Sequence, residues 1–245
     1  MARRRFFVDA IRDGEAEISG DEAKHLTRVL RVEPGQKFEI FDGTDVYLAE
    51  IKFTAKDRVE FTVLEKIQPE PELVHITVLA SLIKFDRFEL LIEKATELGV
   101  SEIVPVIAAR TEAGLEKAVE RRIERWRRIA LEASQQSRRD RLPGIRMPIE
   151  FAAALQFESS HRFWLDEESD GTISIGSAIP QARKQGDSVA VFVGPEGGWT
   201  QSERNAVPAS WSRVSLGRQI LRAETAAIAA LSVSGSAWQL ALLPK

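Results

Sequence analysis

The sequence predicts an α/β protein in which a C-terminal α/β domain with a mainly parallel sheet follows a small β-barrel domain. Residues up to about 67 alternate apolar and polar side chains, as antiparallel strands do. Beyond Gln68–Glu72, apolar strands alternate with helices, which favours a parallel sheet covered on both faces. The prolines of Gln68–Glu72 disfavour helix and central strand, so we place the boundary there, with domains 1–70 and 71–245.

The first domain is predicted to contain a hairpin followed by a third strand. Phe38 and Ile40 alternate with polar residues, Asp42-Gly43 supplies a turn, and Tyr47–Phe53 resumes the alternation. Another alternating run covers Val59–Val63. These runs predict a small antiparallel barrel or sandwich.

One helix is predicted in this domain. Ser19 and Glu22 have the spacing of a capping box, in which two side chains satisfy free backbone amides at a helix start. The apolar side of the helix comprises Ala23, Leu26, Val29 and Leu30. The other side carries Lys24, Arg28 and Arg31.

In the second domain, Asp86 is predicted to cap a helix that ends at Gly99. A second helix, from about Val119 to Ser137, has apolar residues at spacings of three and four and a basic outer face. A final helix covers Ala223–Leu242. The predicted strands are His75–Ala80, Val100–Ile107, Arg162–Leu165, Ser188–Val193 and Arg213–Leu216.

Composition excludes several kinds of chemistry. The 245 residues contain no cysteine and three histidines, so cysteine nucleophiles, thiolate metal sites and histidine-rich metal centres are not expected. Composition leaves a carboxylate site for magnesium open, but no residues are assigned to a metal site. The net charge of −3 argues against a uniformly basic nucleic-acid binder, but Arg121–Arg141 holds eight arginines against three acids. Apolar runs such as Ala226–Leu231 are too short to cross a bilayer, so we expect a soluble cytoplasmic protein without a membrane partner.

The most informative stretch is a glycine-rich loop, Gly194–Gly198, between an apolar strand and a second capping-box pattern at Thr200 and Glu203. Glycines let backbone approach a ligand closely, and Glu196 suits a cationic ligand better than a phosphate. The loop lacks the lysine and hydroxyl residue of a P-loop, and it follows a late strand rather than the first one. The alternative is a tight turn that needs positive φ angles.

A second stretch, Leu216–Ala226, places Arg222 at the start of an otherwise apolar helix. A cation there opposes the helix dipole, which suggests a function. The alternative is a surface pair between Arg222 and Glu224, or between Arg222 and an acid elsewhere.

Together these stretches resemble the paired signature of the RsmE family, 16S ribosomal RNA uridine-N3 methyltransferases of the SPOUT class. The matching residues are Gly194–Gly198, Leu216-Gly217 and Ile220–Ala226. Arg5–Val8 and His25–Arg31 resemble the family's PUA-like RNA-binding domain, and Lys94–Val100 and Gln136–Arg139 resemble its catalytic half.

The resemblance implies S-adenosylmethionine as methyl donor, a SPOUT-type domain with a trefoil knot, a homodimer with active sites at its interface, and 16S ribosomal RNA or the small ribosomal subunit as partner. It implies that the cofactor contacts Gly194, Pro195, Glu196, Gly197, Gly198, Leu216, Gly217, Ile220, Leu221, Arg222 and Thr225. Because a ribosomal substrate needs many phosphate contacts, RNA is expected at Arg3, Arg4, Arg5, Lys24, His25, Arg28, Arg31, Lys84, Arg127, Arg128, Gln136, Arg138 and Arg139.

The implied reaction must deal with the proton on uracil N3. Without cysteine, attack on the ring is unavailable, so the enzyme must stabilise the uracil anion or supply a base. Arg222 is the expected anion stabiliser. Glu196 or Glu224 is expected to accept the proton, and the alternative is bulk hydroxide acting once the anion is stabilised. Two other functions stay open: another SPOUT methyltransferase, acting on a ribose 2′-hydroxyl or a guanine, and a non-catalytic ribosome-assembly factor that binds RNA.

Overall fold

The computed structural model describes residues 5–68, 71–168 and 171–242. The chain divides into two compact units. The first comprises the chain up to Pro71 together with Ser134–Leu142, and the second comprises Glu72–Ala133 together with the chain from Pro143 onward. The first unit therefore includes a segment far along the sequence from the rest of it.

The first unit is built on a six-stranded sheet. Its strands are β1 (Arg5–Phe7), β2 (Ile11–Arg12), β3 (Glu15–Ser19), β4 (Lys37–Phe41), β5 (Val46–Ala55) and β6 (Arg58–Ile67), in the order β1-β4-β5-β6-β3-β2. Strands β4 and β5 form the predicted hairpin, and Asp42 Oδ1 accepts the amides of Thr44 and Asp45 in its turn. All pairs are antiparallel except β1 with β4, so the predicted antiparallel sheet is mixed at one edge.

Helix α1 (Gly20–Arg28) packs against this sheet through the buried Ala23 and Leu26. The predicted capping box is wrong, because the Ser19 side chain makes no capping hydrogen bond. Ser19 is the last residue of β3 and pairs with Arg58, so the sheet already fixes its backbone. Val29, predicted on the apolar side, is 65% exposed because the helix ends one residue before it.

The second unit contains an eight-stranded sheet. Its strands are β7 (Val74–Ser81), β8 (Glu102–Ile107), β9 (Gly144–Ile145), β10 (Ile149–Glu150), β11 (His161–Leu165), β12 (Ile173–Ser174), β13 (Asp187–Val193) and β14 (Ser212–Ser215). The order is β10-β8-β7-β13-β11-β14-β12, with β9 beside β8. Every pair is parallel, which confirms the predicted sheet.

The helices of this unit are α2 (Phe85–Glu97), α3 (Leu115–Ala118), α4 (Ile123–Ser137, which ends in the first unit), α5 (Phe151–Leu155), α6 (Ile175–Ala178), α7 (Gln201–Ala206) and α8 (Ala223–Leu242). The predicted cap at Asp86 is wrong: the Lys84 carbonyl accepts the amides of Arg87 and Phe88, so α2 starts earlier. The helix predicted from Val119 is interrupted, because Val119–Arg121 forms a 3₁₀ turn before α4 begins.

Helix α8 has the predicted bounds and packs on α2, β7 and β13 through one buried side that includes Ala227, Leu231 and Trp238. By length and hydropathy it also qualifies as a candidate membrane span, with 33% of its most apolar window buried. Serines divide this helix into short apolar segments, so the sequence contains no long uninterrupted apolar run at this position. A core helix with a buried face satisfies the same criteria.

Candidate active site

A cavity lies where the loops after three parallel strands meet in the second unit. These loops are Leu165–Glu167 after β11, Gly194–Trp199 after β13 and Ser215–Arg222 after β14. Because β11 lies between β13 and β14, the carboxyl ends of all three strands share one edge of the sheet. Arg87 of α2 also lines the cavity, whose volume is about 360 Å³.

The glycine-rich loop depends on its glycines for different reasons. Gly198 has φ +69°, and its amide donates to the Pro195 carbonyl at 2.9 Å, so the loop closes with a residue in the left-handed region. Gly194 has no such φ, but a β-carbon there would lie 2.9 Å from Cε2 of Trp199. Only Gly198 fits the alternative interpretation of a turn that requires positive φ.

Gly197 faces a side chain that sequence reasoning did not identify. A β-carbon on Gly197 would lie 3.2 Å from Cδ of Arg110, and Arg110 Nη1 donates to the Gly197 carbonyl at 2.6 Å. Arg110 follows β8 and is distant in sequence. The space that the missing side chain leaves is therefore occupied by Arg110 and not by open cavity.

The predicted capping box at Thr200 is confirmed and also links two loops. Glu203 Oε2 accepts the amide and the hydroxyl of Thr200, both at 2.8 Å, while the Thr200 hydroxyl accepts the Glu203 amide. The other oxygen of Glu203 accepts the Ala109 amide at 2.8 Å. One buried carboxylate thus joins the start of α7 to the segment that carries Arg110.

A second buried group joins the glycine-rich loop to the loop after β11. Arg204, with 8% of its side chain exposed, donates through Nε to both oxygens of Asp166 (3.2 and 3.1 Å), through Nη1 to the Trp199 carbonyl (2.7 Å), and through Nη2 to Glu167 Oε1 (2.7 Å). Burial acts to lower the pKa of Arg204, but Asp166, Glu167 and Glu168 more than offset it, so the pKa lies above its ordinary value. Asp166, Glu167 and Glu168 are consecutive acids in the sequence, but no local pattern links them to Arg204.

Trp199 gives the loop a rigid base. Its indole stacks on Trp164 with ring centroids 3.9 Å apart, and its Nε1 donates to the Leu165 carbonyl at 2.8 Å. Both indoles are almost wholly buried. The packing of Trp199 on Trp164 therefore fixes the backbone of residues 194–198 from the buried side.

Glu196 lies at the cavity in an ion pair. Its Oε1 is 2.6 Å from Nη1 of Arg87, and each side chain is about one third exposed (32% and 30%). The sequence indicated Glu196 but not Arg87, which comes from the first turn of α2.

The two charged residues at the start of α8, Arg222 and Glu224, lie in different surroundings. Arg222 precedes α8, its carbonyl accepts the Ala226 amide at 2.8 Å, and its exposed side chain lines the cavity. Glu224 is 6% exposed and does not line the cavity, and its Oε2 has no hydrogen-bond partner among residues 5–68, 71–168 and 171–242. Within the same described ranges Arg222 forms no ion pair or hydrogen bond through its side chain, so the alternative of a pair with Glu224 finds no support there. Thr225 is exposed and does not line the cavity.

The remaining cofactor residues, Leu216, Gly217, Ile220 and Leu221, all line the cavity. Gly217 and Ile220 are exposed, and 84% of Ile220 is accessible. The loop from Gly217 to Ile220 thus carries an unusually accessible apolar side chain beside the cavity.

The residues predicted to contact RNA differ in how exposed their side chains are and in whether they already form ion pairs. In the first unit, four of these residues are exposed: His25, Arg28, Arg31 and Gln136. Lys24 forms an ion pair with Asp21. Arg5 donates to the Glu39 carboxylate and to the carbonyl of Arg138, which is itself exposed, and the side chain of Arg139 is half-buried. In the second unit, Lys84 is exposed, whereas Arg127 and Arg128 pair with Glu124 and Glu132 on the same helix. Arg3 and Arg4 lie outside the described residues. Exposed pairs of this kind cost little to break, roughly 0.3–0.5 kcal/mol each, so they do not prevent phosphate contact.

None of the described residues form a cluster of three or more histidine, aspartate or glutamate side chains arranged to hold a metal ion. The ionisable side chains that line the cavity are instead three arginines and three acids: Arg87, Arg218, Arg222, Asp166, Glu167 and Glu196. These six side chains suit an organic ligand that carries both positive and negative charge.

Family models match both parts of the chain. The model of an RNA methyltransferase domain matches residues 69–235, and the model of an RNA methyltransferase PUA domain matches residues 18–64. The first match covers more than half of the chain and includes every loop of the cavity.

Similar proteins match over nearly their full length. Ribosomal RNA small subunit methyltransferase E of Bacillus subtilis is 32% identical over 243 residues, covering 94% of each chain. A crystal structure of the enzyme of the same name from Neisseria gonorrhoeae, bound to S-adenosylmethionine, is 30% identical, with a TM-score of 0.78 and coverage of 96% of this chain and 98% of that one. The methyltransferase Lpg2936 of Legionella pneumophila, solved with bound S-adenosylmethionine, is 26% identical, with a TM-score of 0.80 and coverage of 97% and 98%.

Proposed function

The chain belongs to the RsmE family of S-adenosylmethionine-dependent 16S ribosomal RNA methyltransferases, and we propose that it methylates N3 of a uridine. The observation that carries this proposal is the cavity at the ends of β11, β13 and β14, lined by Arg222, whose guanidinium pairs with no acid among the residues that the structure describes. The family assignment makes the protein an enzyme and removes the alternative of a non-catalytic assembly factor.

The residues around the cavity fit S-adenosylmethionine. A volume of about 360 Å³ falls within the roughly 300–1,000 Å³ of small-molecule sites. Gly194 and Gly198 leave no room for side chains, so backbone atoms form the cavity wall there. The proposed cofactor contacts are Gly194, Pro195, Glu196, Gly197, Gly198, Leu216, Gly217, Ile220, Leu221 and Arg222, with Thr225 one turn into α8.

The cofactor, held by the loops Gly194–Gly198 and Leu216–Arg222, would supply a methyl group on a positively charged sulfur for transfer to uracil N3. The protein must then stabilise the negative charge that uracil carries as N3 loses its proton. Arg222 suits this role, because it lines the cavity and its side chain forms no ion pair or hydrogen bond within residues 5–68, 71–168 and 171–242. It would donate to a ring carbonyl oxygen where the charge develops.

The proton on N3 needs an acceptor. Of the two acids that the sequence left open, Glu196 lines the cavity and Glu224 does not, so we propose Glu196. Its Oε1 lies 2.6 Å from Arg87 Nη1, and this ion pair holds the carboxylate at the cavity.

We assign RNA capture to the basic residues of both units, because the net charge of −3 makes attraction of RNA a local property. Three basic residues of α1 and the turn after it, His25, Arg28 and Arg31, are exposed, and their side chains form no hydrogen bond or ion pair in the described ranges. A ribosomal substrate implies that the protein acts in the cytoplasm.

We also propose a homodimer and, from the family resemblance, a trefoil knot in the C-terminal domain. From Thr225 to Leu242 the sequence contains no charged residue, although Val233 and Leu240 of α8 are exposed. An uncharged helix face with small residues such as Ser232 and Ser236 suits close packing against a second copy.

The position of methylation is tested by incubating the protein with S-adenosylmethionine and 16S ribosomal RNA, either free or in small subunits. The RNA is then digested and its nucleosides are identified by mass spectrometry against standards. We expect 3-methyluridine as the new nucleoside. A 2′-O-methyl nucleoside or a methylguanosine would instead identify another SPOUT activity.

A further inference from the structure

The three acids that line the cavity differ in what remains free on each carboxylate. Both oxygens of Asp166 are bonded to Arg204 Nε, and the residue is 6% exposed. Glu196 is paired with Arg87. Glu167 gives only Oε1 to Arg204, its side chain is 39% exposed, and no described residue donates to its Oε2. Within the described residues, Glu167 and Glu196 therefore each keep one oxygen available to a ligand, and of these two it is the Glu167 carboxylate that lies against Gly198.

The Glu167 carboxylate also lies directly against the glycine-rich loop. A β-carbon on Gly198 would be 2.5 Å from its Oε1 and 3.8 Å from its Oε2. Gly198 thus leaves space for this carboxylate, and Arg204 fixes its orientation from the buried side. Any ligand held by the loop must pass close to Glu167.

The arrangement of these groups has a chemical counterpart in dinucleotide-binding folds. There, a glycine-rich loop follows one parallel strand, and an acid at the carboxyl end of the neighbouring strand accepts hydrogen bonds from the ribose hydroxyls. Here the glycine-rich loop follows β13, and Glu167 lies two residues beyond the neighbouring parallel strand β11. The strand order and the position within the sheet differ, but the same two groups meet at one edge.

We propose that Glu167 binds the ribose hydroxyls of the cofactor and that Arg204 is a positioning residue for it. This inference rests on the proposed cofactor site. Two vicinal hydroxyls offer two donors, and a carboxylate with one oxygen held by Arg204 retains lone pairs for both. The ammonium group of the cofactor's amino-acid end is the competing donor for Glu167.

Calorimetric titration of the full chain with two ligands separates these possibilities. S-adenosylmethionine carries both the ribose and the ammonium group, whereas 5′-methylthioadenosine keeps the ribose but lacks the ammonium group. Glu167→Gln and Glu167→Ala should weaken the binding of both ligands by similar factors, on the order of 10 for alanine. For the 2′-deoxy and 3′-deoxy forms of S-adenosylmethionine, the loss caused by Glu167→Ala should shrink, because the missing hydroxyl no longer needs its acceptor.

Glu168→Gln is the matched control, since Glu168 also contacts Arg204, at 2.9 Å, but does not line the cavity. It should bind every ligand as the wild type does. The proposal is overturned if Glu167→Ala weakens the binding of S-adenosylmethionine but not that of 5′-methylthioadenosine. It is also overturned if Glu167→Ala weakens the binding of the deoxy forms by as large a factor as that of S-adenosylmethionine itself. If the wild type binds no S-adenosylmethionine, the cofactor site itself is wrong, and that result is distinct from a failure of Glu167.

Discussion

The indole of Trp199 covers Gly194 so closely that a β-carbon on Gly194 would lie 2.9, 3.1 and 3.2 Å from three atoms of the ring. Trp199 cannot retreat, because it stacks on Trp164 and donates to the Leu165 carbonyl. The start of the glycine-rich loop is therefore fixed by packing beneath it.

Gly194→Ala should destabilise the protein by about 1–3 kcal/mol, the usual cost of adding a methyl group to a packed core. It should also weaken S-adenosylmethionine binding, because the loop must shift. Thermal melts and calorimetry measure the two effects. Gly144→Ala is the control, since its β-carbon would meet nothing closer than 3.8 Å; equal effects of the two substitutions would contradict the role of Trp199.

Gly197 and Arg110 should behave as one unit. Gly197→Ala pushes a methyl group toward Arg110 Cδ, 3.2 Å away, and Arg110→Ala removes the hydrogen bond to the Gly197 carbonyl. Each change should weaken cofactor binding several-fold, and the double variant should be no weaker than Arg110→Ala alone. If the two losses multiply, the methyl group on Gly197 meets the ligand itself, and Gly197→Val should then abolish binding.

Arg222→Ala should keep the fold and most of the cofactor affinity while methyl transfer falls by roughly 10²–10³, the usual cost of losing one charge-stabilising donor. Raising the pH should partly restore the rate, because uracil then ionises without help. Single-turnover methylation across pH measures this, with Lys184→Ala as a control outside the cavity. Undiminished transfer, or a loss explained wholly by weaker cofactor binding, would remove Arg222 from the mechanism.

The exposed face of α8 should be the dimer contact. Ser236→Glu places a charge on this uncharged face and should convert the protein to a monomer in light scattering at assay concentrations. Ser210→Glu, at an exposed position outside α8, should leave the dimer intact. A wild-type protein that is active as a monomer would contradict the proposed assembly.

Asp187 should make the stability depend on pH. The Lys184 amide (2.8 Å), the Trp238 indole (2.9 Å) and nearby His161 outweigh burial and hold the pKa of Asp187 below its ordinary 3.8. This stabilisation is complete above that value and is lost as pH falls through the lower folded-state pKa. Asp187→Ala should therefore cost about 1–3 kcal/mol at pH 7, because it strands the buried indole N–H.

Asp187→Asn retains an acceptor for both donors and should cost less. Its difference from the wild type should disappear in acid, where Asp187 is protonated. Denaturant titrations at pH 7 and at a series of pH values descending from 3.8 measure how this difference is lost. A wild-type advantage over asparagine that persists unchanged in acid would show that charge is not the cause.

Several parts of this protein were determined by the sequence alone. Short apolar strands between amphipathic helices specified a parallel sheet, because a strand buried on both faces must be apolar throughout. The bounds of α8 and the hairpin at Asp42 followed from local signals of composition and turn chemistry. The residue types of the glycine-rich loop and the Arg222 segment made them candidates only, and their resemblance to the paired signature of the RsmE family pointed to a cofactor site.

Only the tertiary structure decided which distant residues support these motifs. The three arginines Arg87, Arg110 and Arg204 come from separate segments, and each contacts a residue of the loops after β11 and β13, because the strand order brings these segments together. Local patterns also failed where a neighbouring element had already fixed the backbone, as β3 does at Ser19. A hydrogen bond or contact between residues far apart in sequence has no local signature, because it depends on where the sheet brings the strand ends together.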